Sequence, residues 1–302
     1  MAMCDLRFGA IEGGGTKFIC AVGDNQCRIQ SRRHISTTTP QETLGRVVDF
    51  FREVEHDEGP CVAYGISCFG PAAVDQSSPQ WGSILSTPKR GWSHIAVADE
   101  IIRAFGRPVG FDTDVNGAAL AEYRWGAAVG ADSVVYVTVG TGLGAGVVVH
   151  GRPLHGARHP EVGHILPRKH HTDRSFRGVC PFHGDCFEGL VSGPAIMERW
   201  GEPMSELQPQ HEAREVIAWY LGQLAATLTA AYSPRSIIFG GGVLRTPNLL
   251  DRIRNHAATL SRGYFADDSV LMNSICAPGL GEDSGLAGGL ALAEQAWLQA
   301  QR

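Results

Sequence analysis

Two stretches of the chain repeat one pattern, and this repeat restricts the possible folds more than any other feature of the sequence. Residues 8–24 read FGAIEGGGTKFICAVGD, and residues 134–151 read VVYVTVGTGLGAGVVVHG. Each stretch is a β-rich run, a turn of glycine and threonine, and a second β-rich run. Similar strands and helices follow each copy, so the sequence predicts an α/β protein with two βββαβα-like halves that face one cleft.

Apolar periodicity predicts the order of the elements in both halves. In the first half it predicts three strands within 6–34, a helix at 42–56, a strand at 61–68, a helix at 95–106, a strand at 108–114 and a helix at 115–128. After the second hairpin it predicts a helix at 214–232, a strand at 236–243, a helix at 249–260, a strand at 269–277 and a closing helix at 283–298. A long insertion, from about 154 to 190, interrupts the second half.

Length and charge narrow the class of protein. A single core stops growing at about 250–300 residues, so 302 residues favour two lobes. The formal net charge is -5 with no evident basic patch, which argues against a nucleic-acid partner. The apolar runs are short and broken by glycine, and the first residues do not resemble a secretory signal. We therefore expect no membrane partner and a cytoplasmic location.

The insertion carries the most distinctive cluster of metal-binding residue types. Cys180, His183 and Cys186 form a C-x-x-H-x-x-C motif, and His164 lies sixteen residues before it. Two thiolates and two imidazoles are a typical ligand set for tetrahedral zinc. A disulfide between the two cysteines is the alternative. Any of four other histidines of the insertion could replace His164 as the fourth ligand: His155, His159, His170 and His171.

The remaining cysteines do not form a cluster. Most of them stand among apolar neighbours, which favours reduced, buried thiols. They are Cys4, Cys20, Cys27, Cys61, Cys68 and Cys276.

The glycine-rich turns are candidates for phosphate binding, because glycine lets backbone N–H groups come close to a ligand. The first turn has Gly13, Gly14, Gly15 and Thr16, the second has Gly140, Thr141 and Gly142, and a third glycine run has Gly240, Gly241 and Gly242. Neither hairpin turn is a Walker loop or a Rossmann fingerprint. Each could also be a plain tight hairpin, and the third run a plain helix entry.

Four carboxylates are candidates for chemistry. Asp114 precedes a helix, where it could act as a general base or serve only as an N-cap. Glu12 opens the first turn and could hold magnesium-bound water, or it could be a solvated strand end. Glu161 and Glu188 flank the cysteine motif and could accept hydrogen bonds from vicinal sugar hydroxyls, or form surface salt bridges.

These motifs together resemble the ROK family of sugar kinases, and within it the bacterial zinc-containing fructokinases. The resemblance covers essentially the whole chain. Its motifs are IEGGGTKFICAVGD, GISCFGP at 65–71, STPKRGW at 86–92, DTDVNGAALAE at 112–122, VTVGTGLGAGVVV, HPEVGH, GVCPFHGDCFEGLVSGPAI and IIFGGGV. The CPFHGDC form is similar to the fructokinase branch. Glu12 stands where Asp is usual in the wider family, and Thr113 stands where many relatives have Asn.

The resemblance implies a two-lobed actin-like ATPase fold, which duplicates a ribonuclease H-like unit and here carries a zinc-binding insertion. We place a small lobe at 1–113, joined by the C-terminal helix at about 284–302, and a large lobe at 114–283. The implied reaction transfers phosphate from ATP, with Mg²⁺, to the 6-hydroxyl of fructose, with Asp114 as the base and a homodimer as the assembly. It also implies ATP contacts from Lys17, beside the glycine turns, and sugar contacts from Gly70, Pro71, Thr113, Asp114, Glu161, His164 and Glu188.

Three other functions are compatible with parts of the sequence. The first is a kinase for glucose, mannose or an N-acetyl hexosamine, since pocket differences between such sugars contribute only a few kcal/mol. The second is a sugar-sensing transcription factor, which is disfavoured because the first strand begins by about Leu6 and leaves no room for a winged helix. The third is an inactive sugar-binding protein, which the intact Asp114 and glycine turns disfavour.

Overall fold

The computed structural model describes residues 6–302, so Cys4 lies outside the described residues. Its strands are β1 (Phe8–Gly13), β2 (Lys17–Gly23), β3 (Ile29–Ser36), β4 (Ala63–Cys68), β5 (Ser83–Ile84), β6 (Ile95–Ala96), β7 (Val109–Thr113), β8 (Ser133–Val139), β9 (Leu143–Val149), β10 (Arg152–Pro153), β11 (Ser236–Gly240) and β12 (Ile275–Cys276). Its helices are α1 (Pro40–Glu58), α2 (Val97–Phe105), α3 (Asp114–Trp125), α4 (Phe187–Val191), α5 (Gly193–Trp200), α6 (Ala213–Tyr232), α7 (Leu249–Ser261), α8 (Asp268–Ser274) and α9 (Ser284–Ala300).

Two five-stranded sheets have the same topology, which confirms the predicted α/β duplication. The first sheet has the order β3-β2-β1-β4-β7, and the second has β10-β9-β8-β11-β12. In each, the first three strands of the half form an antiparallel meander, and the last two add in parallel. The glycine and threonine turns join the first two strands of each meander, so the two sheets place them at equivalent positions.

Helices cover both faces of each sheet, because alternate side chains of a strand point to opposite faces. In the first sheet, Ile11 and Phe18 pack toward α1 and α2, whereas Ala10 and Ile19 pack toward α9. The second sheet packs one face on α6 and α7 and the other on α3. Each half is therefore a three-layer α/β sandwich whose inner helix faces the other half.

The inner helices α3 and α9 cross in direct contact at two glycines. A Cβ placed on Gly288 would lie 2.3 Å from the carbonyl carbon of Gly117. Only glycine lets two backbones come this close. The crossing brings the first turn of α3 and the first turn of α9 to the space between the two sheets.

Helix boundaries follow local capping chemistry. Thr39 accepts a hydrogen bond from Glu42 N and Pro40 is the first helical residue, so α1 begins two residues before the predicted 42. In α3, Thr113 is the N-cap and accepts from Asn116 N at 3.2 Å. Asp114 is consequently the first residue of the helix rather than its cap.

The predicted strand at 269–277 is wrong for most of its length. Asp268–Ser274 form α8, and only Ile275–Cys276 pair with β11. The run SVLMNS contains three consecutive apolar residues, as a buried strand can, but Val270 and Met272 are 51% and 38% exposed, and Leu271 alone is buried in the helix. Asp267 and Asp268 at its start favour a helix N-terminus, and β12 lies at the sheet edge, where a short strand suffices.

The insertion has little regular structure, and a buried arginine anchors it to the second half. The guanidinium of Arg199 lies over the Phe176 ring at 4.0 Å and donates to Leu190 O at 2.8 Å. It also pairs with Asp173, which accepts from Tyr220 of α6 at 2.8 Å. These contacts hold residues 170–176 independently of the cysteine motif.

No helix in residues 6–302 combines the length and apolar character that a membrane crossing requires.

Candidate functional site

A cavity of about 810 Å³, called the cleft below, opens between the two sheets. Its lining comprises Glu12, Lys17, Ile19, Arg32 and His34 from the first sheet, Tyr136, Thr138, Phe239 and Gly240 from the second, Asp114, Val115 and Ala118 from α3, and Gly241, Leu244, Arg245, Ala277, Pro278, Gly281, Glu282, Asp283 and Gly285. Both halves therefore contribute strands, and both inner helices contribute their first turns.

Asp114 lies in the cleft at the N-terminus of α3. Its Oδ1 accepts from Val115 N at 2.9 Å. Burial raises the pKa of Asp114 to about 6, the backbone N–H groups lower it, and the charge of Glu161 raises it further. A carboxylate with this pKa is ionised near neutral pH and can still accept a proton, as a general base requires.

Asp112 lies two residues before Asp114 but is fully engaged by protein groups. Its Oδ1 accepts from Thr113 N and Asn116 Nδ2, both at 2.7 Å. Its Oδ2 accepts from His155 Nε2 at 2.9 Å, and this hydrogen bond raises the pKa of His155. Asp112 is 2% exposed, so it joins the insertion to β7 rather than facing the cleft.

Glu12 faces Asp114 across the cleft from the end of β1. Burial, and next the charge of Asp114, raise the pKa of Glu12 to about 7. Its Oε2 is buried and has no hydrogen-bond partner among the described residues. Glu12 lines the cleft, and a carboxylate there suits a hard cation such as Mg²⁺, which binds through one or two carboxylates and phosphate oxygens.

Cationic side chains line the same cleft, as a polyphosphate ligand would require. Lys17 projects from the first residue of β2. Arg32 pairs with Asp283 at 2.8 Å, and Arg245 pairs with Glu282 at 2.6 Å. These two ion pairs connect β3 and the segment after β11 to the loop before α9.

The hairpin turns lie beside the cleft, outside its lining. In the first turn Gly14 N donates to Lys17 O at 2.9 Å, and in the second Gly140 N donates to Gly142 O at 2.9 Å. The other turn residues predicted to bind phosphate are Gly13, Gly15, Thr16 and Thr141, and Gly15, Thr16 and Thr141 are exposed. Of the third glycine run, Gly240 and Gly241 line the cleft, and Gly242 begins a short 3-10 helix.

The two predicted sugar-binding carboxylates, Glu161 and Glu188, lie in different parts of the insertion, one before and one after the cysteine motif. Glu161 is half exposed, and its charge acts on Asp114. Glu188 stands in the first turn of α4, and its Oε2 accepts from Leu143 N at 3.1 Å, next to the second hairpin turn. The cysteine motif precedes Glu188 directly, so its fold sets the position of α4.

A histidine links the insertion to the loop that contains Gly70 and Pro71. Ala72 N donates to His159 Nε2 at 3.2 Å, which leaves the proton of a neutral ring on Nδ1. That nitrogen lies 3.5 Å from Glu161 Oε1. The predicted sugar loop and the predicted sugar carboxylate thus meet through one buried imidazole.

Four potential metal ligands, three from the cysteine motif and one from His164, lie close together. His164, Cys180, His183 and Cys186 have all ligand atoms within 4.8 Å of one another. The two histidine Nδ1 atoms are 3.2 Å apart, and sulfur–nitrogen distances are 3.6–3.7 Å. A tetrahedron with zinc bonds of about 2.0–2.3 Å has edges of about 3.3–3.8 Å, so the donor set fits Zn²⁺.

The other histidines of the insertion have different partners. His155 binds Asp112, His159 binds Ala72 N, and His170 Nδ1 contacts Thr172 Oγ1 at 2.8 Å. The ring of His171 lies against that of His170. The structure therefore brings His164, rather than these four, to the two cysteines and His183.

Sequence reasoning missed several residues that line the cleft. Arg32 and His34 alternate on β3 and so share one face, a period-two signal that the run SRRH does carry. Tyr136 and Thr138 share a face of β8 in the same way. Asp283 comes from the loop before α9, and no local sequence pattern places that loop in the cleft.

The comparisons with known proteins agree with this architecture. The ROK family profile matches residues 8–296. A fructokinase from Zymomonas mobilis is 47% identical over 289 residues, which cover 95% of this chain and 96% of that protein.

Two solved structures of ROK sugar kinases superpose on this chain over nearly its whole length. A ROK hexokinase from Thermus thermophilus superposes with a TM-score of 0.80 at 27% identity, covering 98% of this chain and 99% of that one. A ROK glucokinase from Streptomyces griseus, solved with glucose and AMPPNP, has a TM-score of 0.73 at 26% identity, covering 96% and 99%. The chain therefore belongs to the ROK family.

Proposed function

We propose that the protein transfers the γ-phosphoryl group of ATP to the 6-hydroxyl of D-fructose. The observation that carries this proposal is Asp114, a carboxylate with a pKa of about 6 in a cleft between two sheets of equal topology. The near-full-length similarity to a fructokinase supports fructose as the sugar. The ROK glucokinase bound to AMPPNP supports ATP as the phosphoryl donor.

The reaction assigns a role to each part of the cleft. Asp114 accepts the proton of the sugar 6-hydroxyl while the hydroxyl oxygen forms a bond to the γ-phosphorus of ATP. The bond between the γ-phosphorus and the β–γ bridging oxygen breaks, and ADP is released. Lys17 stabilises the charge on the transferred group, together with those N–H groups of the two glycine turns that do not donate within the turns. Phosphoryl transfer has a loose transition state, so positioning and charge stabilisation provide most of the rate.

Glu12 is the residue that would hold Mg²⁺, together with phosphate oxygens of ATP. Bound there, the cation would neutralise charge on the phosphates. Cleft residues Gly240 and Gly241 lack side chains and leave space for the adenosine.

On the sugar side, we propose that Glu161 and Glu188 accept hydrogen bonds from fructose hydroxyls, beside Gly70, Pro71 and Thr113. Zn²⁺ bound by His164, Cys180, His183 and Cys186 would be structural, with four protein ligands and no open position. The metal would order the segment that presents Glu188.

A homodimer and a cytoplasmic location are part of the same proposal. The family resemblance supports both, and buried free thiols such as Cys20, Cys61 and Cys68 suit a reducing compartment. Light scattering coupled to size-exclusion chromatography tests the assembly: a mass near twice 32.4 kDa is expected, and a mass near 32.4 kDa contradicts it.

Phosphorus NMR of the protein with ATP, Mg²⁺ and fructose tests the reaction itself. We expect the ATP resonances to be replaced by those of ADP and of a sugar 6-phosphate. Inorganic phosphate as the only new product would indicate an ATPase and contradict the proposal. A sugar phosphate formed from glucose but not from fructose would retain the kinase and change its substrate.

A further inference from the structure

Glu122 is a fully buried carboxylate that the proposed reaction does not use. It lies on α3, two turns after Asp114, and is 0% exposed. A buried charge is costly unless hydrogen-bond donors surround it. Glu122 therefore needs an explanation in its own surroundings.

Four donors meet this carboxylate. Oε2 accepts from Ala127 N at 2.7 Å and from Gly279 N at 2.9 Å. Oε1 accepts from Leu280 N at 3.0 Å and from Ser284 Oγ at 2.7 Å. Ser284 is the first residue of α9, where the helix dipole also favours an anion.

Two of these partners, Gly279 and Leu280, belong to the segment between β12 and α9, and Ser284 follows it directly. The segment forms one wall of the cleft. Five residues of the segment line the cleft: Ala277, Pro278, Gly281, Glu282 and Asp283. Its only regular structure is a 3-10 turn at Gly281–Asp283. The segment has few backbone hydrogen bonds of its own, so Glu122 satisfies amides that regular structure would otherwise satisfy.

The contact between α3 and this segment is close as well as polar. A Cβ on Gly279 would lie 2.5 Å from Ala127 N and 2.8 Å from the carbonyl carbon of Gly126, so only glycine fits where the segment meets the end of α3. Ser284, which donates to Glu122, lies between the cleft-lining residues Asp283 and Gly285. Glu122 is thus tied to the cleft surface at the start of α9.

We propose that Glu122 is a positioning residue that fixes the segment 277–283 as the nucleotide-facing wall of the cleft, and does so from the helix that carries Asp114. The proposal rests on the proposed function, because it takes the cleft as the ATP site. One rigid helix then sets both the base and the nucleotide wall. Loss of Glu122 should weaken nucleotide binding much more than fructose binding.

The test compares Glu122→Gln, Ser284→Ala and Glu294→Gln with the wild type. In Glu122→Gln an amide NH₂ group must face backbone N–H donors, so the segment loses its anchor. We expect the Kd for MgADP, measured by calorimetry, and the KM for ATP to rise about tenfold or more. The KM for fructose should change less than about threefold.

Glu294→Gln is the matched control. Glu294 is 4% exposed and pairs with Arg124 between the same two helices, but it does not touch the cleft lining. It should lower the melting temperature and leave the Kd for MgADP unchanged. Hydrogen exchange should accelerate at 277–283 in Glu122→Gln and not in Glu294→Gln.

Ser284→Ala removes one donor and should weaken MgADP binding in the same direction by a smaller factor. If Glu122→Gln does not fold, the Kd of Ser284→Ala for MgADP is the measurement that tests the proposal. An unchanged Kd for MgADP in the folded variants, an equal rise in the KM for fructose, or an equal effect of Glu294→Gln would overturn the proposal. Wild type that binds MgADP but phosphorylates no sugar would contradict the proposed function and leave this positioning role testable by calorimetry.

Discussion

At the scale of single residues, Asp112 and Asp114 show how surroundings separate two carboxylates at one strand–helix junction. Asp112 is saturated by Thr113 N, Asn116 and His155, whereas Asp114 accepts from the backbone and faces the cleft. The sequence DTD allows either residue to be the base. Only the packing of β7 and α3 distinguishes them.

Asp114→Asn should bind fructose and lose turnover, because the amide has nearly the same shape but cannot accept the proton. General-base contributions are about 10²–10⁴-fold, so we expect kcat to fall at least roughly a hundredfold. Steady-state kinetics of the folded variant measure this. Turnover within a few-fold of wild type would remove Asp114 from the proposed role.

Asp112→Asn is the control for that substitution. It breaks a buried network with His155 and should lower the melting temperature, while the base stays in place. We expect kcat to stay within about tenfold of wild type, well above that of Asp114→Asn. If the two variants lost turnover equally, the assignment of the base to Asp114 would have no kinetic support.

The pH dependence of activity follows from the raised pKa of Asp114. Because the base must be ionised, kcat/KM for fructose should fall as the pH drops below about 6. Glu12, with a pKa of about 7 in the absence of a cation, should be ionised more readily as Mg²⁺ increases, which moves the acid limb to lower pH. If the acid limb of the pH profile did not move with the Mg²⁺ concentration, this result would argue against Glu12 as a ligand of Mg²⁺.

The same shift has a consequence for stability, with a defined sign. The pKa of Asp114 is higher in the folded state than its ordinary 3.8, so the folded protein binds more protons, and stability falls as pH rises from about 4 to about 6. Asp114→Asn removes this penalty. Its melting temperature should exceed that of wild type at pH 8, with the difference shrinking toward pH 4; the opposite trend would contradict the burial of Asp114.

Residue-scale prediction from sequence works where spacing carries the chemistry. The C-x-x-H-x-x-C motif is local, and so is the position of Asp114 at the start of a helix. Glu122 is different, because its partners at 279–284 are over 150 residues away and its run AALAEYRW resembles any amphipathic helix. Long-range backbone partners leave no local pattern.

At the scale of elements, the cysteine motif is a turn whose backbone closes on itself. Cys180 N donates to Gly184 O at 3.2 Å, and Gly184 N donates to Cys180 O at 2.9 Å. Cys186 then precedes α4, which carries Glu188. A metal at the four ligand atoms would therefore order the entry to α4, whereas the Arg199 contacts hold the neighbouring residues 170–176.

We predict one zinc per chain, measurable by elemental analysis of the native protein. Chelation or Cys186→Ser should remove the metal, speed hydrogen exchange at 178–188 and raise the KM for fructose, because binding energy of the metal is local folding energy. Cys27→Ser, which alters a half-buried thiol in a turn after β2, should keep the zinc. Native protein without zinc, or full activity after verified removal of the zinc, would contradict this prediction.

Elements were predictable where the pattern had one interpretation. The hairpins follow from glycine turns between β-rich runs, and α6 and α9 from long apolar runs. The strand at 269–277 was not predictable, because SVLMNSICA fits a short exposed helix as well as a strand, and only Ile275 and Cys276 pair with the second sheet.

At the scale of the whole molecule, two sheets of equal topology meet through the crossing of α3 and α9. The glycine contact at Gly117 and Gly288 permits close approach, and the backbone joins the halves at the start of each of these helices. The duplication was predictable from the repeated hairpin. The cleft between the halves was also predicted, but its lining was not, since the lining combines residues from both sheets and from the loop before α9.

We predict that the two halves close around ATP and sugar, with hinges near 113–116 and before α9. Closure would exclude water and limit ATP hydrolysis. Small-angle scattering should show a smaller radius of gyration with fructose and a non-hydrolysable ATP analogue together than with either alone. An unchanged radius would mean that the cleft binds its ligands without closure.

The central claim, an ATP-dependent fructokinase, is tested most directly by coupled assay of ADP release across a panel of hexoses. The panel contains fructose, glucose, mannose, N-acetylglucosamine and N-acetylmannosamine at equal concentrations with MgATP. The account predicts the highest kcat/KM for fructose, with ADP formed in proportion to the sugar consumed. A higher kcat/KM for any other sugar would contradict the substrate, and no sugar-dependent ADP release would contradict the kinase.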